Sequence, residues 1–214
     1  MAQVTKGEQT RAAILGTAVN LASVEGLEGL TIGRLATELE MSKSGLFGHF
    51  GSKEGLQLAT VQAAREIFTE EVVTPTRQAE TGLARLWALC DAWLAYMDRE
   101  VFDGGCFFMA ASAEYDDRPG PVRQAIVSNM QEWLTYLEYA AQKAQERGEL
   151  KVDITPQQLA FELHAFYLSA NWARQLLSDT QAPNRARIAI ITRLQLLTTE
   201  LSPALPDITE YGAI

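Results

Sequence analysis

The chain has 214 residues, is 47% apolar and carries a net charge of −9. That length and apolar content suit one large domain or two unequal ones; no apolar run approaches the roughly 18 residues of a membrane span, and the opening MAQVTKGEQTR has no apolar export segment. The acidity alone argues against a polyanionic partner, yet it is unevenly spread: residues 1–55 hold five cations against six anions, a net of −1, which leaves −8 for residues 56–214.

Taken in chain order, the first pattern is Ile14, Ala18, Leu21 and Ala22 at i, i+4, i+7 and i+8, an amphipathic helix that Gly26 should end. Thr31 is a good N-cap for a second helix carrying Ile32, Leu35, Ala36 and Leu39 at i, i+3, i+4 and i+7. Three residues, Glu40 to Ser42, separate it from a short third helix capped by Ser42 and running to about Phe50. Ser52 caps a fourth, alanine-rich helix expected to reach about Val72, before Pro75.

Two short helices joined by about three residues make a helix-turn-helix candidate. The third helix has an odd composition for a helix, because glycine costs ~0.5–1 kcal/mol in a helix interior. The oddity makes sense if one side anchors and the other approaches a groove about 12 Å wide. Leu46 and Phe50 form the anchoring side. Ser44, Gly45 and Gly48 leave the backbone room to approach bases and phosphates, while Lys43 and His49 supply charge or hydrogen bonds.

The stretch from Glu40 to Leu56, EMSKSGLFGHFGSKEGL, preceded by Thr31, resembles the N-terminal domain of the TetR family of bacterial transcriptional regulators, whose usual pattern is G-V-S-x-x-x-L-Y-x-H/Y-F-x-S-K-E-x-L. The resemblance spans residues 8–56 in an unbroken register. It implies that Lys43, Ser44, Gly45, Gly48 and His49 face base edges or the adjacent sugar-phosphate, and that Phe47 packs on the backbone or a thymine methyl. It also implies that Thr31 and Arg34 touch phosphate, and that Lys53 does so beside the free N–H groups of the fourth helix. The chain departs from the pattern at Glu40, where the family usually turns on glycine, at Phe47 for the common Tyr, and at Gly48 for a larger residue. Glu40 must then take a positive φ or use another turn, and fewer polar contacts imply modest affinity per half-site.

Beyond Val72 the chain reads as further helices. Leu83, Leu86, Trp87, Cys90, Leu94 and Met97 form one stripe, with Trp93 beside it. A short segment, GGCFFMAASAEYDDRPGP, follows, and Val122, Ile126, Met130, Trp133, Leu137, Ala140 and Ala144 form the next stripe. Thr155, Pro156 and Gln158 resemble an N-cap, N1 proline and capping-box partner for a helix to Leu177, and Pro183 opens a last helix expected to reach about Leu201. No strand-like alternation occurs, so the expected fold is all-α: a helix-turn-helix domain over residues 1–55 and a larger helical domain over 56–214.

The family resemblance implies a small-molecule pocket and a dimer interface in that larger domain. Trp87, Trp93, Phe107, Phe108, Trp133 and Tyr136 are the aromatic candidates for the pocket. In the helix from Pro156, Leu159, Leu163, Phe166 and Ala170 form one apolar face, while Phe161, Leu168 and Trp172 lie off it. Ile190, Leu194, Leu197 and Leu201 mark the last helix. Helices apolar on two sides need two partners, and the resemblance implies that one of them is a second subunit of a homodimer.

No enzyme is expected, and no catalytic residue, metal or cofactor. The two histidines, His49 and His164, are far apart and in no metal spacing, and there is no nucleophile elbow, phosphate loop or dinucleotide fingerprint. The cluster Glu114–Asp117 reads as a solvated helix end and cap. Cys90 and Cys106, without CxxC spacing, fit a reducing cytoplasm. Cys90 sits in an apolar stripe as an inert thiol, whereas Cys106, after two glycines, is the candidate for a redox sensor. The expectation is therefore a cytoplasmic, ligand-responsive regulator, most simply a repressor released from double-stranded palindromic operator DNA by a small, largely apolar or aromatic effector, with redox sensing through Cys106 as the alternative.

Overall fold

The structure is a computed structural model and describes residues 6–212. Among these the chain is all-helical, with no strand beyond one isolated antiparallel bridge between Leu150 and Thr198. The helices are α1 (Lys6–Glu25), α2 (Ile32–Glu38), α3 (Lys43–Phe50), α4 (Lys53–Phe68), a π turn (Thr69–Val73), α5 (Thr74–Thr76), α6 (Leu83–Asp98), α7 (Phe107–Glu114), α8 (Pro121–Glu146), α9 (Pro156–Leu177) and α10 (Ala182–Gln195). A 3-10 turn, Ile208–Tyr211, follows. Among the described residues no helix is long and apolar enough to cross a membrane.

The chain forms two compact units that interleave in sequence, unlike the single boundary expected after residue 55. The first unit joins residues up to 67 with 101–129. Its core holds Ile14, Ala18, Ala22, Leu35 and Leu46, the faces read from periodicity. The segment after residue 101 docks on α1. Asn20 Nδ2 donates to Asp103 at 2.8 Å, the Asp103 N–H returns to Asn20 Oδ1 at 3.0 Å, and the Gly104 N–H meets Ser23 Oγ at 3.1 Å. A Cβ at Gly104 would collide with the Ser23 carbonyl, so glycine is required by close approach.

The second unit comprises 68–100 and 130–214. Its centre is aromatic: Phe68 meets Trp133 edge-on at 5.3 Å, and Trp93 stacks on Tyr167 at 3.3 Å and on His164 at 5.3 Å. Burial pushes His164 down to about 4, which leaves it neutral at neutral pH. The N-cap of α6, Gly82, has no side chain, and the buried Glu149 carboxylate takes the Leu83 N–H at 2.7 Å in its place. α10 packs on α6 and α9. From it the buried Arg187 reaches Asp91 at 2.8 Å and Asp98 at 2.9 Å on α6.

Two expected boundaries shift. The fourth helix does not stop at Val72 but passes through the π turn into α5, past Pro75. Pro75 has no N–H to give the Glu71 carbonyl four residues back, and Arg99 donates there instead at 3.4 Å while pairing the Glu71 carboxylate at 2.8 Å. The last helix ends at Gln195, not Leu201, because the chain turns to pair with Leu150 through Thr198. The redox reading is not favoured: Cys106 is 3% exposed, and Cys90 is buried with its thiol pushed up to about 12, first by burial and then by Asp91. Reactive thiols need access and thiolate character.

Removing Arg187 loses a buried side chain and its hydrogen bonds, but leaves Asp91 and Asp98, which are about two-fifths exposed, in contact with water. Arg187→Ala is therefore expected to lower the unfolding free energy by about 1–3 kcal/mol. Arg185→Ala, which breaks the more exposed pair with Asp179, should change it by under about 1 kcal/mol. Chemical denaturation checks both, and equal effects would contradict a structural role for the Arg187 cluster.

Candidate nucleic-acid interface

The turn between α2 and α3 is built by Glu40, whose φ is +52°. The Met41 N–H reaches the Ala36 carbonyl at 3.0 Å and the Glu40 N–H the Thr37 carbonyl at 3.4 Å, the paired bonds of a Schellman ending with glutamate where glycine is usual. Ser42 then caps α3, its hydroxyl accepting from the Gly45 N–H at 3.1 Å. Gly51, at φ +72°, closes it with an N–H to Phe47 O at 2.8 Å.

Leu46 is the one fully buried side chain of α3. Lys43, Ser44, Gly45, Phe47, Gly48 and His49 are all exposed, Phe47 by 56%. A Cβ built on Gly48 meets nothing within 4 Å, so that part of the face is open to an approaching surface. The Lys43 ammonium lies across Gly33 at the start of α2. Sequence reasoning missed Arg11, which holds the far side of α3. Its guanidinium sits 5.0 Å over the Phe50 ring and donates to the His49 carbonyl at 3.5 Å. No spacing rule signals such a contact between residues 38 apart.

The flanking candidates are engaged inside the unit. Thr31 Oγ1 accepts from the Arg34 N–H at 3.0 Å and so caps α2. Arg34 pairs with Glu25 at 2.6 Å and Glu38 at 2.8 Å. Hydrogen bonding from Arg34 holds Glu25 below its usual range, and the two carboxylates, Glu25 foremost, raise Arg34. Arg34 thus braces α2 against the end of α1. Lys53 pairs with Glu28 at 2.5 Å, and Glu28 also accepts from Tyr115 Oη at 3.0 Å and Gln57 Nε2 at 3.4 Å. These partners, Lys53 first, keep Glu28 below the usual carboxylate range. An exposed pair of this kind contributes ~0–1 kcal/mol, so phosphate can take Lys53 from Glu28.

Glu114, read from sequence as part of a solvated helix end, has a more specific task. Its carboxylate accepts the N–H groups of Leu27 and Glu28 at 2.7 and 2.9 Å, which fixes the loop leading into α2.

The other candidates separate. Of the six pocket aromatics, Tyr136 lines a cleft in the second unit. Trp93 and Trp133 fill the core beside it, Trp87 sits 6.4 Å from Tyr211, and Phe107 and Phe108 are buried in the first unit. Of the dimer candidates, Phe161, Leu168, Trp172 and Leu201 are exposed. Ile190, Leu194 and Leu197 are buried within the protomer and serve its own core, because α10 spends that face on α6 and α9. Leu176, Leu177 and Leu196 are exposed apolar residues the periodicity did not single out.

A left-handed backbone costs a non-glycine residue roughly 1–2 kcal/mol, partly offset by the unfolded-state entropy glycine would add. Glu40→Gly is expected to stabilise the protein by about 0.5–1 kcal/mol, a Tm rise of about 1–4 °C. Glu40→Ala, which keeps the strained conformation, should give no such gain in a thermal melt.

This geometry accords with comparisons to known proteins. The model described as bacterial regulatory proteins, tetR family, matches residues 14–60, and that described as tetracyclin repressor-like, C-terminal domain, matches residues 82–190. No curated protein matches the chain. Among solved structures, a TetR transcriptional regulator from Chloroflexus aurantiacus J-10-FL is 24% identical, with a TM-score of 0.83 over 90% of this chain and 98% of its own. A TetR-family regulator from Cytophaga hutchinsonii is 17% identical, with a TM-score of 0.77 over 93% and 100%. AibR, solved with isovaleryl coenzyme A and operator DNA, is 26% identical, with a TM-score of 0.62 over 76% and 85%. The two family models together span the helix-turn-helix and more than half of the remaining chain, and this protein belongs to the TetR family of DNA-binding transcriptional regulators, which are not enzymes.

Proposed function

We propose that this regulator is a repressor that binds a palindromic operator as a homodimer and leaves it when a small, largely apolar or aromatic molecule binds the second unit. The observation that carries the reading is the outward face of α3, six consecutive-turn positions exposed around a single buried leucine. In this reading residues 1–55 recognise DNA and residues 56–214 hold the effector and dimer functions. Lys43, Ser44, Gly45, Gly48 and His49 meet the groove, Phe47 packs on backbone or a thymine methyl, and Thr31 and Lys53 approach phosphate. Arg34, tied to two carboxylates, contributes by position more than by contact. AibR, solved with both a small molecule and operator DNA, supports a ligand-responsive mechanism.

Dimerisation rests on α9. Phe161, Ala165, Leu168, Trp172 and Leu176 are exposed at i, i+4, i+7, i+11 and i+15, a second apolar face opposite the buried Leu159, Leu163 and Ala170. A short recognition helix reads few base pairs, so specificity needs two copies about a two-fold axis.

The expected operator is palindromic, with half-sites roughly one to two duplex turns apart at about 10 bp per turn; selection of bound fragments from genomic DNA reads this directly. Phe161→Asp combined with Trp172→Asp should yield a folded monomer that loses the palindromic site, and a monomer binding at full affinity would sink the reading. Lys53→Ala should weaken operator and random DNA alike and reduce the salt slope by about two for the dimer. An unchanged slope would remove Lys53 from the phosphate contacts.

A further inference from the structure

The cleft lined by Tyr136 differs in charge from the chain that surrounds it. It encloses about 80 Å3 among the π turn and α5, the start of α6 and the later half of α8. Its floor is apolar, formed by the buried Val73, Leu89 and Ala140. Arg77, Arg85 and Lys143 also line it, and no lining residue is acidic.

The three cations are differently engaged. Arg85 donates to the carbonyls of Arg77 at 2.7 Å and Ala79 at 2.6 Å, which solvate its charge without cancelling it. Lys143 pairs with the exposed Glu146 at 2.6 Å and lies 5.4 Å over the Tyr139 ring. Arg77 is exposed and makes no ion pair among the described residues. Glu80, the acid adjacent in sequence, pairs with Arg147 at 3.7 Å. In a chain of net charge −9, three cations answered by a single exposed glutamate make a local positive field that concentrates anions.

An inorganic anion would leave the apolar floor wet, and a neutral hydrocarbon would leave the guanidinium unanswered. A molecule with both parts uses both surfaces. We infer that the cleft binds a small organic acid, its carboxylate on Arg77 with help from Lys143 and its short aliphatic or aromatic body against Val73, Leu89 and Ala140. Arg presents a planar fork that matches a carboxylate in two parallel hydrogen bonds. The volume limits the buried body to a short chain or a single ring. This names the chemistry of the effector proposed above; its regulatory consequence rests on that reading, while the binding itself does not.

The test uses the full chain and calorimetric titration with hexanoate and phenylacetate, each matched to its neutral amide. Tryptophan emission gives a second readout, because Trp93 lies one turn from Leu89 on α6 and Trp133 one turn from Tyr136 on α8. The acids are expected to bind saturably and the amides at least about tenfold more weakly, the scale of one charge-assisted contact. Arg77→Gln, which changes an exposed side chain and keeps the backbone carbonyl that Arg85 holds, should remove that preference and leave the melting curve unchanged. Equal binding of acid and amide, no saturable acid binding, or a preference surviving Arg77→Gln would each overturn the assignment. Acid binding that leaves operator affinity unchanged would uphold the cleft and sink the effector reading.

Discussion

A helix that offers its outer face to a DNA groove can keep little of itself inside its own domain, and α3 keeps one fully buried side chain, Leu46. Full burial of a leucine contributes ~1.5–3 kcal/mol, while the two glycines within α3 each cost ~1 kcal/mol relative to alanine. Eight residues are also well below the ~12–15 an isolated helix needs. The helix therefore exists only because its ends are held: by the Ser42 cap, by the Glu40 turn, by Gly51 and by Arg11 under Phe50 and His49. The rest of the first unit serves to bring those holds together.

The same logic explains how an acidic chain presents a face to a polyanion. Several acids of this unit are paired internally, although Glu40 and Glu54, which flank α3, are exposed without an ion pair among the described residues. Glu25 and Glu38 are taken by Arg34, and Glu28 is shared among Lys53, Tyr115 and Gln57. Pairing leaves the net charge unchanged but orients it, so a carboxylate bound to a guanidinium presents less negative potential outward than a free one. Glu28 is the most connected of these. Tyr115, whose hydroxyl is raised first by burial and then by Glu28 itself, ties it to the 101–129 segment. That segment already holds the loop before α2 through Glu114. The first unit is thus completed by chain from far along the sequence.

Much of this was legible in advance where the controlling physics is local. The caps at Thr31, Ser42, Ser52 and Thr155 take the expected N–H groups, because a cap is decided within three residues. Of the two ways open to Glu40, a positive φ or another turn, it takes the first. What could not be read depended on partners distant in sequence. The docking of Gly104 on Ser23, the Glu114 clamp and the Arg11 contact are set by tertiary placement. Periodicity identified α10 as apolar on more than one side but could not say which side faced its own protomer, so Ile190 and Leu194 are buried where an exposed face was expected. On α9 the residues that the periodicity set off the buried face, Phe161, Leu168 and Trp172, are exposed. The cleft was invisible for a different reason: Arg77, Arg85 and Lys143 share no helix face and meet only in the fold.

The helical run from Lys53 to Thr76 joins these matters in one piece of backbone. At its start, in the first unit, stands Lys53, and about 20 residues later, in the second, Val73 lines the cleft. Between them lies the π turn, where Pro75 deprives the Glu71 carbonyl of its usual donor and Arg99 substitutes. A π turn is a register compromise, and such turns are frequent at functional sites. Under the proposed function, a molecule seated against Val73 would meet the run at this least regular point. Occupancy alone is not sufficient, since a ligand shifts an equilibrium only by its difference in affinity for the two states. The contact that matters is therefore one whose geometry depends on the register of residues 69–73. Under the proposed function, linkage would require operator DNA to weaken that contact by the same factor, a coupling typically of about 1–3 kcal/mol.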